Sequence, residues 1–295
     1  MARNTLKLKS HAKVNLYLNI GTKLDDGYHS IESIMQTINL FDEIYLTLSE
    51  NLGIFIECNN PEVPIDSRSI VYRAAKILME GSGKGINIFI KKRIPLASGL
   101  GGGSSNVATV LKGICRLLRL QLSSVQLLDI ATNLGMDIPF FLKGGIALAK
   151  GRGEFISPLP PIFPPVPLIL VNPGVKISTK WAYHLFDKSI DNNIKNIRDI
   201  THLLNRNEPI KPVEIYGSVY NSFESIISKH FPIIGQIKNR LKNLGSVATT
   251  ISGSGSTIYG IFERKKDMVR IYNEIKEEYP FVCKTYTLET NNILL

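Results

Sequence analysis

The chain has 295 residues, of which 44% are apolar and 20% charged, and this balance excludes a predominantly disordered protein. Three widely spaced cysteines, Cys58, Cys115 and Cys283, argue against a disulfide framework and against a zinc site. No apolar run approaches about 18 residues and no signal-peptide pattern follows Met1. We therefore expect a cytoplasmic protein that does not enter a membrane.

The net charge of +10 leaves two interpretations open. A basic surface attracts polyanions, so one hypothesis is a non-catalytic module that binds nucleotides or nucleic acid. However, the basic clusters Lys91–Arg93 and Arg264–Lys266 are short and are not interleaved with aromatic residues. A solvated basic surface that also suits a phosphorylated small substrate is therefore favoured.

The first half of the chain is predicted to begin with strands and to continue, after a loop, mainly with helices. Period-two patterns predict strands at 6–9, 14–20, 31–40, 44–48, 85–91 and 144–149, with a turn at 41–43. Apolar spacings of three and four predict helices at 67–79, 104–120 and 123–134. Asp66 or Ser67 is the expected cap of the first of these helices.

A proline-rich segment at 157–167 separates the two halves. Its six prolines predict a rigid extended crossover, and we place the domain boundary there, giving domains at 1–157 and 158–295. The second half is predicted to contain a strand at 168–171, two β-rich runs within 247–262 and a final strand at 282–288. Its predicted helices lie at 178–187, 197–205, 216–229, 233–244 and 265–278.

The glycine-rich segment from Ile94 to Asn106 follows a predicted strand and opens into a predicted helix. Glycines allow the backbone to approach a ligand closely, and the amides at a helix N-terminus bind anions. Ser104 or Ser105 is a natural N-cap for this helix. The segment therefore predicts a phosphate-binding loop, and a flexible loop without a ligand is the alternative.

Other phosphate-binding motifs do not fit this segment. A P-loop requires a lysine after its last glycine, and none follows Gly103. In a dinucleotide-binding fingerprint the third glycine would fall on Ser104 or Asn106, depending on the register. The glycine-rich loop of protein kinases joins two strands instead of a strand and a helix.

A second Gly/Ser segment, Ser252–Ser256, joins the two β-rich runs near the end of the chain. Alone, this pattern is typical of a tight turn. Together with the first glycine loop, it makes a bipartite ligand clamp more plausible.

Asp137 and Lys13 are the candidates for phosphoryl-transfer chemistry, which needs a group to handle the acceptor's proton and a cation near the charge. Asp137 is a lone carboxylate in an apolar segment, and burying a carboxylate is costly unless it is partnered. Its alternative role is the N-cap of a helix with Pro139 in the first turn. Lys13 interrupts an apolar alternation, with Asn15 on the same face of the strand. Its alternative is a solvent-facing lysine.

The segment Asp25–His29 is a loop because it contains an Asp-Gly turn signal. Tyr28 and His29 are able to stack on a base and to hydrogen-bond with it. Their alternative role is merely to cover the loop.

Together these segments resemble the GHMP kinase superfamily, in the order and spacing of that family. The resemblance is carried by Ala12–Asn15, Asp26–His29, Pro95–Asn106, Gly135–Pro139, Asn172–Val175 and Ser252–Gly255. It implies an α+β two-domain GHMP kinase fold with the active site in the cleft between the domains. The N-terminal domain would be mixed α/β with a left-handed β-α-β unit at the ATP loop, and the C-terminal domain ferredoxin-like α+β.

The resemblance also implies an activity and its small-molecule partner. The activity is ATP-dependent phosphorylation of the 2-hydroxyl of 4-diphosphocytidyl-2-C-methyl-D-erythritol in the non-mevalonate isoprenoid pathway. A mevalonate- or homoserine-type kinase of the same superfamily is the alternative. ATP would be the phosphate donor with Mg²⁺, whose ligands the motifs do not identify beyond a loop serine. The protein would be a monomer or homodimer without a nucleic-acid or membrane partner.

Site roles follow from the matching motifs. Asp137 would be the catalytic base, and Lys13 would keep that carboxylate ionised and stabilise developing charge. The ATP phosphates would contact Pro95, Leu96, Ala97, Ser98, Gly99, Leu100, Gly101, Gly102, Gly103, Ser104 and Ser105. The acceptor would contact Asn15, Tyr28, His29, Tyr183, Gly253, Ser254 and Gly255. The chain departs from the family pattern at His11, Ser98 and Met136, none of which is a reacting group.

Overall fold

The computed structural model describes residues 5–189 and 208–289. Two long antiparallel strands, β1 (Thr5–Lys23) and β2 (His29–Ser49), form the centre of the first sheet. The prediction of two shorter strands in each segment, with a turn at 41–43, is wrong. The pairing slips between His11 and Ala12, so a bulge absorbs the break in alternation and both strands continue. Asp42 stays fully buried there because it accepts hydrogen bonds from the backbone of Arg93 and Ile94.

The first sheet has seven strands. Its main path runs β3-β4-β2-β1-β8, and β5 pairs with both β2 and β6. The remaining strands are β3 (Ile54–Cys58), β4 (Gly85–Lys91), β5 (Ile146–Lys150), β6 (Phe155–Pro158) and β8 (Tyr220–Asn221). Strand β4 has the predicted bounds, whereas β3 and β6 are short strands that the sequence patterns miss. Strands β3 and β4 are parallel and enclose a helix, and the glycine loop follows β4 directly. The handedness of this β-α-β unit stays a prediction.

Four helices belong to the first half: α1 (Ile70–Met79), α2 (Gly102–Leu118), α3 (Ser124–Leu134) and α4 (Ile138–Lys143). Helix α1 begins at Ile70 after Ser69, so the predicted cap at Asp66 or Ser67 is wrong. Asp66 instead accepts hydrogen bonds from the backbone and the guanidinium of Arg68. Helix α3 begins with a capping box of Ser123 and Gln126.

The second sheet contains β7 (Pro167–Asn172), β9 (Ala248–Ile251), β10 (Ile258–Ile261) and β11 (Phe281–Tyr286). The strands are antiparallel in the order β11-β7-β10-β9. Numbered from β7, this order is fourth, first, third, second, with helices after the first and third strands. That order is the ferredoxin-like arrangement, as predicted.

The helices of the second half are α5 (Thr179–Lys188), α6 (Val213–Tyr216), α7 (Glu224–His230), α8 (Pro232–Asn243) and α9 (Lys265–Ile275). The predicted helix at 216–229 is wrong, because β8 interrupts it. The Asn221 amide donates to the carbonyls of Ile251 and Gly253, which fixes an extended segment at this point. The predicted helix at 197–205 lies outside the described residues.

The two halves share part of their core. Strand β8 pairs in parallel with β1 at Tyr17, and Val14 of β1 lies in one apolar cluster with Leu168 and Tyr259 from the second sheet. Residues 159–166 lead from β6 to β7, consistent with an extended crossover. The domain boundary between residues 157 and 158 stays a prediction.

Candidate active site

A cleft of about 1030 Å³ is lined by both halves of the molecule. Nearly all of the predicted site residues contribute to its wall. They are Lys13, Asn15, Tyr28, His29, Pro95, Leu96, Ala97, Ser98, Gly99, Gly101, Gly102, Gly103, Ser104, Asp137, Tyr183, Gly253, Ser254 and Gly255. The structure therefore brings together motifs that lie up to 242 positions apart in the sequence, from Lys13 to Gly255.

The glycine loop ends in the first turn of α2. Gly101 is the N-cap residue and has a left-handed backbone with φ +70°, so the prediction of a cap at Ser104 or Ser105 is wrong. The first helical hydrogen bond runs from Ser105 N to Gly101 O at 2.9 Å, and the amides of residues 102–104 precede it. A Cβ added at Gly103 would meet no atom within 4 Å. Amide donors at a helix N-terminus beside open space suit an anion.

Leu100 and Ser105 do not line the cleft, unlike the rest of the predicted phosphate loop. Both are fully buried. The Leu100 side chain packs in the core, and its carbonyl accepts a hydrogen bond from Lys13 N at 3.0 Å. The Ser105 hydroxyl accepts one from Ser10 Oγ at 2.8 Å. These residues attach the loop to strand β1.

Ser252, at the start of the second Gly/Ser segment, and Thr257, directly after its end, donate hydrogen bonds to backbone carbonyls of the first glycine loop. Ser252 Oγ donates to Gly99 O at 2.9 Å, and Thr257 N donates to Ser98 O at 3.2 Å. A Cβ at Gly99 would lie 1.9 Å from Ser252 O, so only glycine fits at this position. This geometry supports the hypothesis of a bipartite clamp.

Lys13 and Asp137 face each other across the cleft. The Lys13 side chain is only 4% exposed, so the solvent-facing alternative is wrong. Its Nζ donates to Asn15 Oδ1 at 2.5 Å and lies 3.8 Å from Asp137 Oδ2. Burial lowers the pKa of the Lys13 ammonium, and the nearby Asp137 carboxylate partly opposes that shift.

Asp137 lies at the N-cap position of α4, with Pro139 in the first turn, yet its side chain caps nothing. Its side chain is 36% exposed. The expectation of a carboxylate buried among apolar residues is therefore wrong, because the side chain turns out of the apolar segment and into the cleft. An ionised carboxylate with a cation opposite is the arrangement that a proton acceptor needs.

The other end of the cleft is aromatic and charged. The rings of His29 and Tyr183 are stacked, with centroids 5.2 Å apart and planes at 16°. Tyr28 is 53% exposed, and the guanidinium of Arg152 lies 5.5 Å from its ring centroid. Burial raises the pKa of the Tyr183 phenol, so that group stays neutral. Asn15 lies away from these rings, beside Lys13.

Several residues of the cleft were missed by sequence reasoning, and Lys92 is a charged one whose side chain is only 5% exposed. Its Nζ donates to Asp42 Oδ2 at 2.5 Å, and the position of a Cβ on Gly102 lies 3.2 Å away. The sequence feature that could have indicated Lys92 is the basic run Lys91–Arg93, immediately before the glycine loop. Asp187 and Arg152 carry no comparable signal, because their importance depends on partners far away in the sequence.

All of Lys91–Arg93 and part of Arg264–Lys266 are paired with acids. Lys91 and Arg93 lie 3.6 Å and 3.5 Å from Glu43, and Arg264 lies 2.6 Å from Asp267. The cluster Lys91–Arg93 therefore does not form an uncompensated surface for a polyanion. The absence of a nucleic-acid partner stays a prediction.

Residues 5–189 and 208–289 contain neither a membrane-spanning helix nor a cluster of potential metal ligands. No helix there combines the length and apolarity needed to cross a bilayer. The same residues contain no group of three or more His, Cys, Asp or Glu side chains arranged to hold a metal ion. The predicted cytoplasmic location is not tested by these observations.

Comparison with known proteins agrees with this geometry. Residues 69–145 match the family described as GHMP kinases N terminal domain, and residues 188–280 match GHMP kinases C terminal. The 4-diphosphocytidyl-2-C-methyl-D-erythritol kinase of Geobacter metallireducens is 38% identical over 89% of this chain and 91% of its own length. That of Caldanaerobacter subterraneus is 35% identical over 96% of this chain and 97% of its own.

The chain belongs to the 4-diphosphocytidyl-2-C-methyl-D-erythritol kinase family. A crystal structure of 4-(cytidine 5'-diphospho)-2C-methyl-D-erythritol kinase superimposes with a TM-score of 0.79 at 29% identity, covering 96% of this chain and 99% of that one. Homoserine kinase from Cytophaga hutchinsonii superimposes with a TM-score of 0.74 at 19% identity, which shows the common fold alone. Membership in this family makes the chain a small-molecule kinase with the two-domain GHMP fold, as predicted.

Proposed function

We propose that the cleft transfers the γ-phosphoryl group of ATP to the 2-hydroxyl of 4-diphosphocytidyl-2-C-methyl-D-erythritol. This reaction is a step of the non-mevalonate route to isoprenoid precursors. The observation that carries the proposal is the shared cleft: the N-terminus of α2, the Lys13–Asp137 pair and the His29–Tyr183 stack all line it. The cleft therefore offers a separate contact surface for a phosphate donor, for a hydroxyl acceptor and for a pyrimidine.

Asp137 is the proposed proton acceptor. As the acceptor oxygen bonds to the γ-phosphorus, its O–H bond breaks, the proton moves to the Asp137 carboxylate, and ADP leaves with the electrons of the broken P–O bond. The exposed part of Asp137 faces the cleft, and no helix-cap hydrogen bond competes for its oxygens. The side chain is therefore available to a hydroxyl in the cleft.

Lys13 is the proposed electrostatic partner in this step. Its buried ammonium lies 3.8 Å from Asp137 Oδ2 and would stabilise negative charge that builds on the oxygens during transfer. Asn15 supports it, since Nζ of Lys13 donates to Asn15 Oδ1 at 2.5 Å. A buried cation fixed by a neighbouring amide needs little reorganisation during the reaction.

The glycine loop is proposed to bind the ATP phosphates. Amides of residues 102–104 point from the α2 N-terminus, and Gly103 leaves open space for phosphate oxygens. Mg²⁺ would be held chiefly by those oxygens together with the Ser104 hydroxyl, which fits the lack of an acidic ligand cluster among the described residues. When bound, Mg²⁺ would neutralise charge on the transferred group.

The pyrimidine of the acceptor is proposed to lie at the aromatic end of the cleft. Tyr183 and Tyr28 offer rings for stacking, and His29 offers polar ring nitrogens. Gly253–Gly255 would close the cleft next to the phosphates of the acceptor. These roles rest on the positions of the residues and on their family motifs.

The proposal is tested by offering ATP with three acceptors to the purified protein. We expect turnover of 4-diphosphocytidyl-2-C-methyl-D-erythritol. The kcat/KM for mevalonate and for homoserine should be lower than for this acceptor by about 100-fold or more. Release of ADP and phosphorylation of the acceptor are measured together, so that ATP hydrolysis is not mistaken for transfer. Turnover of mevalonate or homoserine without turnover of the cytidylyl acceptor would overturn the assignment.

A further inference from the structure

Asp187 joins two residues that begin and end the loop at 24–28. Its Oδ2 accepts a hydrogen bond from Lys23 Nζ at 2.7 Å, and its Oδ1 lies 2.7 Å from His29 Nε2. Lys23 ends strand β1, His29 begins β2, and Asp187 lies in the last turn of α5. One carboxylate therefore ties the second half of the chain to the loop that carries Tyr28.

The carboxylate determines which nitrogen of His29 carries a proton. Lys23 holds the pKa of Asp187 below its ordinary value, mainly through their hydrogen bond, so Asp187 is ionised and only accepts hydrogen bonds. His29 Nε2 must therefore carry a hydrogen. Within the described residues, no hydrogen bond to His29 Nδ1 is found, and in the neutral ring this nitrogen is an acceptor.

The ring itself has little freedom to turn over. Its side chain is only 6% exposed. One face stacks on Tyr183, and Phe186 meets the ring edge-on at 5.9 Å. A fixed ring with a fixed tautomer presents a defined hydrogen-bonding pattern to a ligand.

Cytosine and uracil present different patterns of hydrogen-bond donors and acceptors. Cytosine has an amine donor at position 4 and an acceptor at N3, whereas uracil has an acceptor at position 4 and a donor at N3. A histidine of fixed tautomer matches one of these patterns and opposes the other. Buried polar groups that lose their partner in this way reject the wrong ligand strongly.

We propose that Asp187 is a positioning residue that fixes the Nε2–H tautomer of His29 and thereby makes the cleft selective for cytosine over uracil in the acceptor. This selectivity rests on the proposed function, because it requires the acceptor's pyrimidine to lie beside His29. The tautomer itself does not depend on that function. The two parts are therefore measured separately.

The tautomer is measured first, by ¹⁵N NMR of the histidine-labelled full chain, with the variant His29→Gln used to assign the signals. We expect an Nε2–H tautomer in the natural protein and a mixture of tautomers in Asp187→Asn, since an amide both donates and accepts. Asp129→Asn removes an exposed charge from α3 and is the matched control. An unchanged His29 tautomer in Asp187→Asn would overturn the proposal whether or not the protein is active.

Selectivity is measured next, as the ratio of kcat/KM for the cytosine acceptor and its uracil analogue. We expect this ratio to fall about tenfold in Asp187→Asn, through KM, while kcat with the cytosine acceptor and KM for ATP change less than about twofold. Equal losses for both acceptors, or a raised KM for ATP, would instead indicate a purely structural role and contradict the proposal. If the natural protein turned over neither acceptor, the proposed function would fail, and the NMR result would still decide the role of Asp187.

Discussion

The phosphate end and the base end of the cleft are built by different means. At the phosphate end the contacts come from backbone amides and from deeply buried cations such as Lys13, which is 4% exposed. At the base end they come from side chains held by ion pairs, of which Lys23 is 55% exposed and Asp187 30%. A site made of backbone and core is fixed by the fold itself, whereas a site made of ion pairs is adjustable. Variants at the phosphate end should therefore lower kcat or the stability of the fold. Variants at the base end should lower the affinity for the acceptor.

The largest effect is expected at the phosphate end, from Asp137→Asn. Loss of the proton acceptor should reduce kcat about 10²- to 10⁴-fold with little change in either KM, because the side chain still fits the cleft. Single-turnover phosphorylation and thermal unfolding are measured together, and the melting temperature should stay within about 2 °C, since the carboxylate makes no cap hydrogen bond. Asp129→Asn serves as the control. Near-normal kcat in Asp137→Asn would remove Asp137 from the chemistry.

The second comparison concerns two glycines of the same loop. Gly99→Ala should destabilise the protein by about 2–4 kcal/mol, because its φ is +77° and its Cβ would collide with Ser252 O. Gly103→Ala should leave stability unchanged or raise it by up to about 1 kcal/mol, because the residue is helical and its Cβ meets no atom. The KM for ATP should nevertheless rise in Gly103→Ala, since the methyl group occupies the phosphate space.

Denaturant unfolding and ATP kinetics on both glycine variants check this pair. Equal stability of the two variants would mean that the contact between the Gly/Ser loops is dispensable. An unchanged KM for ATP in Gly103→Ala would mean that the phosphates lie elsewhere.

At the base end, Tyr183→Ala should raise the KM for the cytidylyl acceptor about tenfold, since a stacked base is worth about 1–3 kcal/mol. The KM for ATP and kcat should change less than about twofold. Tyr183→Phe is the matched control, because it keeps the ring that stacks on His29. A loss in Tyr183→Ala that appears in kcat alone would contradict the division of the cleft into two ends.

The smallest effect on activity is expected for Lys112 of α2, a half-buried lysine that lies outside the cleft. Burial lowers its pKa from 10.5 to about 8, so between these pH values the folded chain binds fewer protons than the unfolded chain. Stability therefore rises with pH across this window. Lys112→Met removes the cost of burying the charge and should stabilise the protein by about 1–2 kcal/mol at pH 7, less at pH 10, with unchanged kinetics.

Denaturant unfolding of Lys112→Met and of the natural protein at pH 7 and pH 10 checks this prediction. A stability gain that does not depend on pH would contradict the titration of Lys112. Altered kinetics would show that the active site depends on Lys112 as well as on Lys13.

The sequence predicted best those features that depend on local pattern. The order of β4, glycine loop and α2, and the shared face of Lys13 and Asn15, follow from periodicity and spacing. The split of β1 and β2 was wrong because buried polar residues such as Ser10 and Asp42 interrupt the apolar pattern and are satisfied only by distant partners. The helix cap was wrong because Gly101 in a left-handed conformation replaces a side-chain cap. The Asp187 contacts were unpredictable, since Lys23 lies 164 positions away.

The hydrogen bond from Ser252 to Gly99 has a consequence for how this protein is able to vary. The loop that would receive ATP is completed by a hydroxyl from the opposite half, so neither half carries a finished nucleotide site that could be exchanged as a cassette. A chimera that takes its second half from a relative would keep a working loop only if the incoming segment supplies that hydroxyl and backbone room beside Gly99. A functional site therefore requires that both halves of the chain be inherited together.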